Sequence, residues 1–149
     1  MATNIFIFLM KAVFLSKGIE VAEKPNSDIT NNEIHIFTQF FIHKNASRNE
    51  ELRYCLKQNH DNPYVAHIHL LNERIYTDAE MGLSSSHKVR QENIGKRLSF
   101  QSVFQYIREQ GIKGYFVLVN ADIFLDNTIK YLLSSSIHEK KTGNGFTTL

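Results

Sequence analysis

Residues 115–126 constrain this chain more than any other stretch. They read Tyr-Phe-Val-Leu-Val-Asn-Ala-Asp-Ile-Phe-Leu-Asp. Five apolar residues, β-branched and aromatic, follow Gly111 and Gly114 and run without a break into Asn120, Ala121 and Asp122. A short run of that kind, with no polar alternation, predicts a strand buried on both faces, as in a parallel sheet. Its carboxyl end then carries polar groups, and open α/β sheets bind ligands at that edge.

The flanking segments agree with that expectation. Residues 33–42 read as a strand, with Ile34, Ile36 and Phe37 leading into Thr38, Gln39, Phe40 and Phe41. A helix follows, with Leu52, Cys55 and Leu56 as its inward stripe and Asn49 or Ser47 as its cap. Asp61-Asn62-Pro63 stops it, and residues 65–71 form the second strand. Residues 72–86 read as a loop, and residues 89–94 as a short strand. In residues 99–110, Phe100, Val103, Phe104 and Ile107 recur at helical spacing between an N-cap at Ser99 and a stop at Gly111. After residue 119, Asp126 or Asn127 caps a last helix that turns Ile129, Leu132 and Leu133 inward. Strands alternating with amphipathic helices predict an α/β fold: a Rossmann-like, mostly parallel sheet with helices on both faces. The expected division is an N-terminal leader and linker over residues 1–32, an α/β domain over 33–137 and a loose tail over 138–149.

Composition sets limits. The 149 residues suffice for one domain with a core, and 42% hydrophobic content is ordinary for a globular chain. A net charge of +2 does not argue for a nucleic-acid partner. The lone Cys55 cannot form an internal disulfide, which suits a reducing compartment such as the cytoplasm. The apolar segments around Lys11 are too short to span a bilayer, and the stretch before them lacks the basic residues of a signal peptide. This leader reads as a helix or strand packing on the body, or as a poorly ordered segment, and a signal or membrane-associating segment is the alternative.

Several positions within residues 33–136 form a pattern that resembles the nucleotide-sugar glycosyltransferases of the GT-A type. They are Phe37-Thr38-Gln39-Phe40-Phe41, Glu73 after Leu70-Leu71, Arg97 ahead of Ser99-Phe100, and Asn120-Ala121-Asp122 in the place of the family's Asp-x-Asp motif. The chain departs from that motif at Asn120. The resemblance implies transfer of a sugar, hexosyltransferase-like, from a nucleoside-diphosphate donor to a glycan, protein or lipid acceptor. It also implies a donor-binding half of the fold, to which an acceptor half would be added. It places Asp122 on Mn²⁺ or Mg²⁺, and Thr38, Gln39, Glu73, Arg97 and Asn120 along the nucleotide. No catalytic base is assigned. One or two carboxylates with substrate phosphates make an ordinary shell for such an ion, whose Lewis acidity stabilises a departing diphosphate.

Each residue also has a plainer reading. Asp122 can end a strand or cap a turn, and Asp126 reads first as a cap. Thr38 can be a polar strand end, Glu73 a solvated acid and Arg97 a surface ion pair. His67 and His69 share one strand face without an evident third metal ligand, which favours packing over metal binding. An aspartyl-phosphate phosphatase would need a nucleophile where Asn120 stands. The alternative from another class is a non-catalytic nucleotide-binding or interaction domain that self-associates through an exposed apolar flank.

Overall fold

In the computed structural model the described residues are 8–12, 32–134 and 146–148, with the backbone alone described for the first and last segments. Six strands form one sheet: β1 (Phe8–Ala12), β2 (Ile34–Thr38), β3 (Val65–Asn72), β4 (Val89–Asn93), β5 (Gly114–Leu118) and β6 (Phe146–Thr148). Their order is β4-β3-β2-β5-β1-β6. The four strands from β4 to β5 are all parallel, whereas β1 runs antiparallel to both β5 and β6. The helices are α1 (Ala46–Asp61), the one-turn α2 (Asp78–Met81), α3 (Phe100–Gln110) and α4 (Tyr131–Ser134), the last preceded by a 3-10 turn at Asn127–Lys130. This is the expected α/β, Rossmann-like architecture.

The alternation of β2 explains the two layers. Ile34 and Ile36 face one side with Leu52 and Leu56 of α1, and with Ile68, Leu70 and Val117. Phe37 faces the other side with Leu71, Phe116 and the α3 residues Val103 and Ile107. Ile34, Ile36 and Phe37 are fully buried. Each contributes about 1.5–3 kcal/mol of apolar burial, and a one-residue slip would reverse the faces. Tyr115, Phe116 and Val117 of β5 are buried in turn, as a two-sided strand requires.

Local signals set the ends. The side chain of Ser99 accepts from the Ser102 backbone N–H, and Gly111 closes α3 at φ 61°, a conformation open to glycine at little steric cost. Asp126 caps the 3-10 turn through Thr128. The cap of α1 differs from expectation. Asn45, not Ser47 or Asn49, accepts from the Ser47 and Arg48 N–H groups, while Asn49 bonds back to the backbone of His43. The expected loop over 72–86 contains α2, whose capping box joins Thr77 to Glu80.

The expected leader contains β1, which covers the outer edge of β5. The expected tail contains β6, which pairs in turn with the outer edge of β1. Residues 13–31 of the leader and linker lie outside the described residues, as do residues 138–145 of the tail.

On the α3 face, β2 and β3 bring three histidines together. His35 lies beside His67 in the ladder, and His35 Nδ1 is 3.1 Å from His69 Nε2. His69 stacks on Phe37 and its Nδ1 is 3.4 Å from the Tyr106 hydroxyl. Burial first, then the nearby His35, His67 and Arg90, pushes the His69 pKa down to about 3. Burial and His67 lower that of His35 against the opposing pull of Glu33. The fold therefore favours the neutral form of both, and both take up protons more readily when unfolded. For His69 the stabilisation is complete above the unfolded histidine value of about 6.5 and is lost as pH falls towards its folded value of about 3, by about 1.4 kcal/mol per pH unit. His35 shifts stability in the same direction. Urea midpoints should thus be level from pH 7 to 8 and fall steadily below 6.5, and His69→Gln should make that fall shallower.

Candidate functional site

The winding of the sheet reverses between β2 and β5. From β2 the chain leaves through α1 on one face, and it arrives at β5 from α3 on the other. The carboxyl ends of these adjacent parallel strands therefore diverge, and a cleft opens between them. Its volume is about 450 Å³. Gln39 and Phe41 line it from beyond β2, Arg48 and Leu52 from α1, Arg97 to Phe100 from the start of α3, and Leu118 to Asp122 from the end of β5.

Neutral amides hold the loops that form these walls. Asn59, 3% exposed on α1, donates to the Ile123 carbonyl and accepts from the Leu125 N–H, both at 2.9 Å. Asn62 donates to the Leu125 carbonyl. The segment just beyond Asp122 is thereby tied to α1. The fully buried Asn72 at the end of β3 accepts from the Phe40 N–H at 2.8 Å and fixes the turn after β2. Gln39 donates to the Lys96 carbonyl and accepts from the Leu98 N–H, so it grips the chain on both sides of Arg97.

Four of the six residues expected along a nucleotide line this cleft: Gln39, Arg97, Asn120 and Asp122. The other two do not. Thr38 is buried behind the wall, and its hydroxyl meets no hydrogen-bond partner among the described residues. Glu73 sits at the same edge of the sheet, but after β3, where it is exposed and away from the cleft lining. Arg97 is exposed over the opening. Gln39 is engaged with backbone on both ends of its amide, so its observed part is to position Arg97.

Arg48 is the residue that sequence reasoning missed. Its Nη2 lies 2.6 Å from Asp122 Oδ2, and the Asp122 side chain is only 11% exposed. The second arm of the guanidinium reaches Glu51. The hydrogen bond that Arg48 donates to Asp122, and then the one it donates to Glu51, raises the Arg48 pKa above its ordinary value. Arg48 lies 74 residues before Asp122, and the only local hint was its place in the first turn of the helix that follows β2.

Arg48, Arg97 and Asp122 are the charged residues of the lining, which leaves the cleft net positive. The starts of α1 and α3 open onto the same edge and add the positive ends of their dipoles. Phe41 and Phe100 present aromatic faces that are 40% and 44% exposed. Such a cleft can accept an anion together with a flat ring. Among the described residues no cluster of three or more histidine, cysteine, aspartate or glutamate side chains is arranged to hold a metal. A divalent ion would have Asp122 as its one carboxylate and would take its other ligands from substrate phosphate and water, a sparse but ordinary shell. The histidines of the α3 face pack against one another and against Phe37 and Tyr106, and His35 Nε2 and His67 Nδ1 meet no hydrogen-bond partner among the described residues.

Neither a family model, nor a curated protein, nor a solved structure matches the chain. Among the described residues no helix is long and apolar enough to cross a membrane.

The clamps give a paired prediction. Asn59→Ala removes both bonds to the loop beyond Asp122 and should cost about 1–3 kcal/mol in denaturant unfolding, since two half-buried backbone groups lose their partners. Thr38→Val replaces an unpartnered hydroxyl with a methyl of similar volume. It should leave stability unchanged or raise it by about 1 kcal/mol.

Proposed function

We propose that the chain binds a nucleoside-diphosphate sugar in the cleft between β2 and β5 and serves as the donor-binding part of a glycosyltransferase of the GT-A kind. The observation that carries this reading is the meeting of Arg97, Asn120 and Asp122 in one cleft at the reversal point of the sheet, where the motif resemblance puts the nucleotide. Arg97 offers the diphosphate a planar fork of donors. Asn120, neutral, hydrogen-bonds a ribose hydroxyl or a water. Phe41 and Phe100 supply faces for the base or the sugar ring.

Asp122 is the residue that would hold Mn²⁺ or Mg²⁺ when the donor is bound. When bound, the ion supplies Lewis-acid stabilisation of the charge that grows on the leaving group as the glycosidic bond breaks. The protein's own part is to bind the donor, orient it across the strand ends and keep its anionic end among positive groups. The acceptor is a glycan, a protein or a lipid.

A second reading has one observation in its favour. The single acid of the cleft already has Arg48 as its partner. That arrangement suits a domain that binds nucleotide without turning it over.

Calorimetry tests the first reading. UDP or GDP should bind the wild type and bind it at least about tenfold more tightly with Mn²⁺, a difference of about 1.4 kcal/mol. Asp122→Ala should lose that increment. Equal binding by both proteins, with and without Mn²⁺, would defeat the metal assignment. Sugar release from a nucleotide sugar by wild type but not Asp122→Ala would argue against the second reading.

A further inference from the structure

We infer that Arg48 is an exchangeable counter-ion, which holds Asp122 in the empty cleft and passes to the diphosphate when donor and metal arrive. The inference rests on the donor-binding reading above and names a specificity device within it.

Three features carry it. The contact between Arg48 Nη2 and Asp122 Oδ2, at 2.6 Å, uses one arm of the guanidinium, and the other arm is on Glu51. Arg48 is therefore a bridge between an inner acid, 11% exposed, and an outer one, 50% exposed. Its own side chain is 36% exposed, so no core packing holds the guanidinium in place beyond these two ion pairs. Arg48 lines the cleft and also an open surface depression over the start of α1, beside His43, Asn45, Ser47 and Glu51. The guanidinium thus has open space to move into without disturbing the core.

The charges set the consequence. A cation entering alone must displace Arg48 from Asp122 and leave the guanidinium without its inner partner. A diphosphate entering alone finds that guanidinium already held. When both arrive together, the carboxylate and the guanidinium each receive an opposite charge. The site therefore favours a metal–diphosphate pair over either component, and such coupling is reciprocal.

The test uses the whole chain and two separate probes. Binding of Mn²⁺ alone is followed by loss of the free-ion paramagnetic resonance signal, and binding of UDP or GDP by calorimetry with saturating Mn²⁺. In Arg48→Gln, Mn²⁺ alone should bind about tenfold more tightly, because an exposed or half-buried ion pair at this distance is worth about that factor. The diphosphate should bind about tenfold more weakly in the same variant. Arg48→Lys keeps the charge but not the fork, and should shift both affinities the same way by less. Should Arg48→Gln fail to fold, the lysine variant decides the question. If the wild type binds UDP or GDP with Mn²⁺ but the Arg48 variants bind both ligands as the wild type does, this inference alone is overturned. If the wild type binds neither nucleotide in any condition, the donor reading falls and this inference with it.

Discussion

The reversal of winding beside β5 is the constraint on which the site depends. β5 pairs with β2 in parallel, Ile34 against Tyr115 and Ile36 against Val117, and is covered on its other edge by β1. Its side chains are buried above and below. A strand so enclosed has no freedom of register. The backbone must leave the sheet where the apolar run ends, and Asn120 to Asp122 fall there. With α1 on one face and α3 on the other, nothing in the layer packing fills the space between the two strand ends. The cleft follows from connectivity, and the side chains around it decide what it accepts.

Those side chains divide into two kinds by charge. The groups that hold the loops are amides: Asn59, Asn62, Asn72 and Gln39. An amide carries a donor and an acceptor on one rigid plane, so a single side chain can satisfy a backbone N–H and C=O together. Being neutral, it can be buried once hydrogen-bonded without the desolvation cost of an ion. The charged groups, Arg48, Arg97 and Asp122, stand at the cleft, where solvent or ligand can meet them. Structure and chemistry are thus assigned to different residue types, and an exchange between them would be costly. A charge at position 72, which is fully buried, would have no such outlet.

The parts legible in sequence were those set by local pattern. The β5 run, the period of α3, its cap at Ser99 and its stop at Gly111 depend on neighbours within a few residues. The cap of α1 was misplaced because the segment before Leu52 is polar throughout, so no apolar period marks where the first turn begins. α2 is a single turn, too short for a period, and the spacing of Thr77 and Glu80 was its one available signal. A packed strand was among the readings open to the stretch around Lys11, but its pairing with β5 is a long-range fact that the interrupted apolar run does not report. The same limit applies to chemistry. Asp122, Asn120, Gln39 and Arg97 follow from strand ends and a motif. Glu73 also ends a strand, but the strand order, which no local pattern reports, puts that strand on the far side of β2. The meeting of His35 with His67 needs the β2–β3 register, and that of Arg48 with Asp122 needs the crossover of the whole sheet.

The pairing of Arg48 with Asp122 also bears on the metal proposed for a cleft with one acid and two arginines. A lone carboxylate in a nearly closed corner would be poorly solvated without a cation beside it. Arg48 removes that difficulty when the cleft is empty, and leaves it net positive through Arg97. On the donor-binding proposal, a nucleoside-diphosphate sugar, with two negative charges, would meet a lining whose excess is one positive charge, and a divalent ion brought with it would supply the rest. Asn120, where the resembling family has an acid, adds nothing to that sum, so the charge of the empty cleft is set by Arg48, Arg97 and Asp122 alone.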